Sequence, residues 1–328
     1  MLKELNVTLG VEELKSILFE PVIDDLEAKG MRVVETQITA YVGFVPAVRG
    51  FMRKSTGCGS VNYATVSPDK KTFTPVKMKG GTKLCAESLD DVYAQARNKG
   101  VRRAEITGTI LEALLIDSTM ESLMSDIHTQ AWLGNTGSSD AFYTPFNGIW
   151  QQAISDGSIT AYNSGASGSA MTSGQSITMF SDLVSGANTS SALKAQIRKG
   201  EGVTLHVSYS VYENYMEFLE SVQGVESAYR LLQDGTRQLY WRGIPVIPHQ
   251  IWDAYAVDSD INFGAGVTDN FNLAMLVADG NLVTAMDTVS PASMVEMWYD
   301  KKDELNYAKA AYLLTSGYVM SNLVAINY

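Results

Sequence analysis

The segment 110-ILEALLIDSTMESLMSDIHTQAWL-133 carries the strongest structural signal in the sequence. Apolar residues recur along it at spacings of three and four, which is the periodicity of a helix with a buried face. They are Ile110, Leu111, Leu114, Leu115, Met120, Leu123, Met124, Ile127, Ala131 and Trp132. Thr109 and Glu112 form a capping box before this run, and Gly134-Asn135 supply a stop after it. The pattern predicts one helix from Ile110 to Leu133, about 35 Å long at 1.5 Å per residue.

Upstream of this helix, short extended runs indicate a long hairpin. The runs are VVETQITAYVGFV (33–45), SVNYATV (60–66) and KTFTPVKM (71–78), and turn-forming residues separate them. Between residues 44 and 83, Asp69 is the one acidic residue, against the basic residues Arg49, Arg53, Lys54, Lys70, Lys71, Lys77, Lys79 and Lys83. A hairpin so charged and so poor in large apolar side chains cannot build its own core. We therefore expect it to extend from the body and to contact a partner surface through these basic side chains.

The rest of the sequence predicts a body of mixed helices and strands. An arm at residues 1–30 contains a helix from Val11 to Lys29, interrupted at Pro21 and ended by Gly30. Further helices are predicted at Ser191–Lys199 and at Val211–Gln223, the second with a capping box of Ser210 and Glu213. Predicted strands are VTLHVSY (203–209), RQLYWRG (237–243), IPVIPH (244–249), NLAMLVAD (272–279) and NLVTAM (281–286), with a hairpin turn at Asp279-Gly280 between the last two. The elements lack the regular βαβ period of a doubly wound sheet.

Charge is distributed unevenly along the chain. The net charge is −11, which disfavours sequence-specific binding of nucleic acids. Residues 31–103 contain 13 basic and 5 acidic residues, whereas the rest of the chain contains 12 and 31. From residue 104 to residue 193 there is no Lys or Arg. Two interpretations stay open: each part has its own solvated face, or a basic element lies on an acidic surface of another copy.

Length and composition set the class of protein. The 328 residues predict about two structural units, and 45% hydrophobic residues predict a sizeable core. Cys58 and Cys85 form no CxxC pair or Cys/His ligand pattern, so a reduced compartment is expected. The N-terminus lacks the layout of a signal peptide, and no stretch reaches the 18 or so apolar residues of a membrane span. We expect a soluble protein, cytoplasmic at synthesis, with no membrane partner.

No catalytic, cofactor or metal site is predicted. The run Gly165–Ser169 lacks the final glycine of a serine-hydrolase elbow, and no glycine-rich run completes a nucleotide loop. His128 has no second ligand type four residues on, so it is predicted to be a surface or hydrogen-bonded histidine. His206 and His249 lie far apart in sequence, beside predicted strands. The remaining enzyme hypothesis is that one of these two histidines acts as a general base.

The order of these elements resembles the major capsid proteins of tailed bacteriophages, whose Hong Kong-97-like fold is shared with encapsulins. The resemblance rests on an arm, a basic hairpin, FTPVKMKGGTKLCAESLDDVYAQARN (73–98), the helix ending DIHTQAWLGN, KAQIRKGEGVTLHVSYSVYENYMEFLESV (194–222) and YWRGIPVIPH (240–249). The implied fold class is α+β with four parts. These are an N-terminal arm (1–32), an extended hairpin loop or E-loop (33–85), a peripheral domain (86–145 and 280–328, with a spine helix at about 110–133) and an axial domain (146–279).

The resemblance also implies a function. It predicts a non-enzymatic, structural major capsid protein that assembles as hexamers and pentamers into an icosahedral shell around double-stranded DNA. No cofactor is expected. The implied partners are other copies of the chain, a portal, a separate scaffold (or none) or a decoration protein, and packaged DNA that is enclosed without sequence-specific binding. The implied location is the virion, after assembly in the host cytoplasm. An encapsulin-like compartment with a protein cargo is the first alternative, and an α/β enzyme with a dispersed site is the second.

Overall fold

The long helix predicted from sequence is the central element of the structure. The structure, a computed structural model, describes residues 11–36, 39–44, 69–85, 110–163, 171–187, 189–200, 202–222, 229–231, 237–256, 272–287, 294–300, 302 and 305–328. The helix spans Ile110–Leu133, as predicted. Its C-terminal half is buried, with Ile127 and Trp132 at 0% exposure, whereas Asp117 and Glu121 in its N-terminal half are exposed. Its predicted capping residue, Thr109, lies outside the described residues.

Glycine is required where this helix ends. A Cβ on Gly134 would lie 2.5 Å from the backbone oxygen of Phe146, and one on Gly148 would lie 2.6 Å from the backbone nitrogen of Gly134. The two glycines approach closely because the Gly148 N–H donates to the Gly134 oxygen at 2.8 Å. The predicted stop at Gly134 is therefore a point of backbone contact that excludes any side chain.

The described residues contain six further helices. In chain order the seven are α1 Val11–Ala28, α2 Ile110–Leu133, α3 Ile149–Ser155, α4 Gln175–Ser185, α5 Ser191–Lys199, α6 Tyr209–Ser221 and α7 Gln250–Ala256. Helix α1 runs through Pro21 without the predicted interruption, because Phe19, Val22 and Leu26 on one face are buried in the main core. Helix α5 has the predicted bounds, and the Ser190 hydroxyl accepts the Leu193 N–H at 3.0 Å.

Helix α6 begins two residues before its predicted start. The predicted capping box of Ser210 and Glu213 is wrong, because Asp253 of α7 occupies the position of a cap. One oxygen of Asp253 accepts the Tyr209 N–H, and the other accepts the Ser210 N–H at 3.3 Å. A carboxylate at this place satisfies free N–H groups and interacts favourably with the helix dipole.

One sheet has five strands and lies against α1 and α2. The strands are β1 Arg32–Glu35, β4 Val76–Cys85, β11 Leu282–Asp287, β12 Met294–Asp300 and β13 Leu305–Tyr318. The long β13 pairs antiparallel with β4 along one edge, and with β12 and then β11 along the other. Strand β1 pairs parallel with β11. This sheet joins parts of the chain that are far apart in sequence.

A second sheet has seven strands in the order β5-β14-β10-β6-β9-β8-β7. Their bounds are β5 Thr160–Tyr162, β6 Val203–Ser208, β7 Tyr229–Leu231, β8 Arg237–Trp241, β9 Ile244–His249, β10 Ala274–Ala278 and β14 Val324–Asn327. One face, with Leu205 and Leu276, packs on α4, α5 and α6. The other, with Met275 and Ile326, shares a core with Trp132, Trp150 and Trp252 of α2, α3 and α7. The sheet is therefore covered by helices on both faces.

The hairpin predicted at Asp279-Gly280 is wrong. A turn is present and Gly280 has a φ of +72°, but β10 and β11 lie in different sheets. Strand β10 pairs with β6 and β14, whereas β11 pairs with β1 and β13. Both strands are fully buried, so each already has neighbours on both edges and both faces. The turn therefore connects a strand of the seven-stranded sheet to a strand of the five-stranded sheet.

The basic segment is described in part. Strands β2 Ala40–Phe44 and β3 Asp69–Phe73 pair antiparallel, and the residues between them lie outside the described part. Strands β1 and β4, at the two ends of the range 33–85, belong to the five-stranded sheet. Likewise β14, within the range 280–328, lies in the seven-stranded sheet. The four domain boundaries stay predictions.

The burial of α2 can be tested with one substitution. Leu123 is 7% exposed and packs in the main core, so Leu123→Asp should lower the free energy of unfolding by about 3–5 kcal/mol. Ser122→Asp places the same side chain on the exposed face next to it and should cost under about 1 kcal/mol. Urea denaturation followed by circular dichroism measures both. Equal stabilities of the two variants would contradict the packing of α2.

Candidate assembly surface

Three of the predicted contact residues form an exposed basic face on β4. Lys77, Lys79 and Lys83 are all exposed, and their spacing along the strand places them on one side of the sheet. Met78, which points to the other side, is 7% exposed and belongs to the core with α2. Over residues 76–79 the strand therefore has an apolar inner side and a basic outer side. This alternation is the reason why the local sequence VKMK gives an exposed surface of one charge.

The neighbouring strands add little neutralising charge. In the register of β4 and β13, Lys79 lies opposite Ala311 and Lys83 opposite Tyr307. Lys309 of β13 joins the same surface, and its Nζ lies 3.9 Å from Glu296 Oε2 of β12. Lys77, Lys79 and Lys83 have no ion-pair partner among the described residues. Their charges are available to a surface outside this chain.

The other predicted contact residues lie elsewhere. Lys71 on β3 is half-buried, and its Nζ lies 5.4 Å from the centroid of the Tyr318 ring, a cation–π contact within the chain. Lys70 next to it has an interaction of its own. Arg49, Arg53 and Lys54 lie outside the described residues. The sequence did not point to Lys309, because its place beside β4 follows from a pairing between distant strands.

An acidic surface lies on α2 around Asp117 and Glu121. Asp117 and Glu121 are exposed and one helical turn apart, and Asp126 follows along the helix. Asp126 borders a groove of about 210 Å³ between α2, β4 and β13, and burial there raises the pKa of its carboxyl group. Met78, Leu123 and Tyr312 supply apolar walls. The chain thus exposes surfaces of both charges, the basic one on β4 and the acidic one on α2.

The two histidines of the enzyme hypothesis are part of the core. His206 Nδ1 lies 3.0 Å from His249 Nε2, and the residues are 1% and 4% exposed. Burial lowers the pKa of His206 to about 3 and lowers that of His249 well below its usual value, so both rings are neutral near pH 7. Trp132 lies 4.8 Å from the His249 ring and Trp252 stacks on it at 4.5 Å. The two neutral histidine rings are packed among tryptophan side chains in the core, so neither is accessible as a general base.

His128 connects α1 to α2. It is 2% exposed, and its Nε2 lies 2.5 Å from Asp25 Oδ2, while Lys29 Nζ lies 2.9 Å from the same oxygen. The contact with His128 is the main reason why the pKa of Asp25 falls to about 2, and Lys29 adds to it while partial burial opposes it. His128, predicted to be a surface or hydrogen-bonded histidine, is therefore a buried residue that connects two helices.

Neither a cluster of metal-ligating side chains nor a membrane-spanning helix occurs in the described part of the chain. No group of three or more His, Cys, Asp or Glu side chains there could hold a metal ion. No helix in that part of the chain is long and apolar enough to cross a membrane.

Comparison with known proteins gives structural matches. No protein-family model and no curated protein sequence matches the chain. A chain of Gordonia phage Cozz matches with a TM-score of 0.52 and 9% identity, covering 92% of this chain and 85% of that one. The holo-SrpI encapsulin complex from Synechococcus elongatus PCC 7942 matches with a TM-score of 0.50 and 13% identity, covering 98% and 91%. The mature capsid of bacteriophage PhiM1 gives a TM-score of 0.45 and 14% identity, covering 91% and 85%.

The likenesses to the Gordonia phage chain and to the SrpI encapsulin show the fold. The chain has the Hong Kong-97-like fold of phage capsid proteins and encapsulins, and the predicted α+β class is confirmed. At identities of 9% and 13%, the shared feature is the arrangement of helices and strands over nearly the whole chain.

The contact between Asp25 and His128 makes stability depend on pH. The folded-state pKa of Asp25 lies near 2, below its ordinary 3.8, so the contact stabilises the fold above about pH 4 and this contribution is lost as pH falls towards 2. Asp25→Asn should therefore lower the free energy of unfolding by about 1–2 kcal/mol at pH 6. Urea melts of both proteins between pH 6 and pH 2 measure the difference, which should shrink as pH falls. A difference that is constant with pH would contradict this account.

Proposed function

We propose that the chain is the major capsid protein of a tailed double-stranded DNA phage, and that it assembles as hexamers and pentamers into an icosahedral shell around the genome. The observation that carries the proposal is the Hong Kong-97-like fold over 92% of the chain. The unneutralised basic face of β4 supports it, because a shell is built from contacts that every copy repeats. In this role the protein is structural and needs no cofactor.

We assign the parts of the fold accordingly. Helix α2 with the five-stranded sheet is the peripheral domain, and the seven-stranded sheet with α4, α5 and α6 is the axial domain, which would meet its copies around the five-fold and six-fold axes. Residues 1–32 are the arm and residues 33–85 the extended loop. Because β14 pairs with β10 and β5, we assign residues 324–327 to the axial domain rather than to the peripheral one.

Charge complementarity explains how neighbouring copies would attract each other. The basic face of β4, with the rest of the extended loop, lies on the acidic surface of a neighbour. Asp117 and Glu121 of α2 form one described surface of suitable charge. One exposed ion pair contributes about 0–1 kcal/mol, but a closed shell repeats the contact at every subunit boundary. Assembly should therefore be favoured at low ionic strength, where such pairs are least screened.

The proposal includes partners and a location. Other copies of the chain are the main partner, and a portal and a separate scaffold or decoration protein complete the particle. The packaged DNA is enclosed without sequence-specific contacts, which agrees with a net charge of −11. The protein is assembled in the host cytoplasm and ends in the virion.

An encapsulin-like compartment is the second candidate. The match to the SrpI encapsulin at a TM-score of 0.50, over 98% of this chain, favours it. The two functions differ in what the particles hold. Particles purified from producing cells and treated with nuclease should contain protected double-stranded DNA if the chain is a capsid protein. Particles that contain one cargo protein and no protected DNA would overturn the capsid proposal in favour of the compartment.

The basic face of β4 can be tested by charge reversal. The variant Lys77→Glu, Lys79→Glu, Lys83→Glu should stay folded, because all three side chains are exposed, but its assembled fraction at low salt should fall at least about tenfold. Lys→Arg at the same positions keeps the charge and should assemble like the unchanged protein. Light scattering and circular dichroism measure assembly and folding. Shells from the glutamate variant in normal yield would contradict this role of β4.

A further inference from the structure

The helices on one face of the seven-stranded sheet separate positive from negative charge. Residues 146–279 contain 13 acidic and 6 basic residues. Three of the six basic residues lie on α5, which has no acidic residue. Helix α6 has three glutamates and no basic residue. Helix α4 contacts both of them. This part of the chain therefore has a basic and an acidic helix in one layer, apart from the charges of β4 and α2.

The basic side chains of α5 point away from the core. Leu193 is 0% exposed and anchors the opposite side of the helix. Arg198 and Lys199 are exposed, and Lys194, one turn before Arg198, is half-buried. None of these three basic residues has an ion-pair partner among the described residues. The Ser190 hydroxyl donates to the Asn322 oxygen and Leu193 is buried in the core, so this basic surface has a fixed position.

The acidic side chains of α6 form a matching stripe. Glu213, Glu217 and Glu220 are exposed at spacings of four and three, which places them on one side of the helix. Val211 and Tyr215 on the other side are 0% and 3% exposed. The three glutamates also lack an ion-pair partner within the described part of the chain. The contact of Asp253 with the start of α6 fixes the helix on α7.

Exposed apolar side chains lie at both ends of α6. Among the described residues, the exposed large hydrophobic side chains are Tyr209 and Val222, at 36% and 47%. Tyr209 is the first residue of α6, and Val222 follows its last. Interfaces between proteins typically combine a few apolar anchors, often tyrosine, with charged residues around them. Tyr209 lies four residues before Glu213, on the same side of α6 as the glutamates, and Val222 follows the end of the helix.

We infer that the outer face of α6, with its glutamates and Tyr209, docks on the basic face of α5 of a second copy. The inference rests on the proposed function and specifies one of its contacts. Glu213 and Glu217, like Lys194 and Arg198, are about 6 Å apart along their helices, so two ion pairs form at once. Because the two faces belong to different helices, the contact is head-to-tail and repeats until five or six copies close a ring.

Charge exchange between the two helices tests the inference. One variant carries Glu213→Lys and Glu217→Lys on α6, and another carries Lys194→Glu and Arg198→Glu on α5. Each should lower the fraction of protein in rings and shells at about 50 mM salt at least tenfold, because like charges then face each other. A protein with all four substitutions restores opposite charges and should assemble within about threefold of the unchanged chain. Mass photometry and negative-stain electron microscopy measure the assembled fraction.

A matched control separates this contact from a general effect of charge. The α6 variant combined with Lys77→Glu and Lys79→Glu on β4 contains the same number of reversals and should not regain assembly. Normal shells from the α5 and α6 variants would overturn the inference and leave the proposed function intact. Normal assembly of the combined α6 and β4 variant, or formation of dimers in place of rings, would also overturn the inference. An unchanged chain that forms no ring or shell at any salt concentration would overturn the proposed function, and the inference with it.

Discussion

The burial of the C-terminal half of α2 is the constraint on which the rest of the structure depends. This half of the helix lies between the five-stranded and the seven-stranded sheet, and Trp132 at its end touches both histidines and Trp252, at ring distances of 5.4, 4.8 and 4.9 Å. Asp25 of the arm contacts His128 on the same helix. Because α1, α2 and both sheets contribute to one core, the positions of these elements are set together.

In the proposed function, charge acts between copies of the chain rather than within one subunit. The core has paired or neutral polar groups, whereas the unpaired lysines of β4 and the glutamates of α6 are on the surface. Exposed charges contribute little to the stability of one subunit, so they can be arranged for association without cost to the fold. This division agrees with a protein whose function is to assemble with itself.

Local signals in the sequence predicted individual elements well. The bounds of α2 and α5 were predicted to the residue, because helical periodicity and caps are properties of neighbouring residues. The pairing of distant strands could not be predicted in this way. The turn at Asp279-Gly280 has the residues of a hairpin, yet its strands enter different sheets, because each finds partners far away in sequence. For the same reason the sequence predicted a single contact surface for Lys71 and Lys77. In the structure, Lys71 contacts the Tyr318 ring, whereas Lys77 is exposed.

The most direct test of the account is the assembly state of the chain expressed alone, at low and at high salt, by negative-stain electron microscopy and light scattering. The account predicts icosahedral particles, or rings of five and six copies, that are more abundant at low salt, because opposite charges on neighbouring copies attract each other across distances that salt screens. A single small oligomer whose size does not change with salt would contradict it.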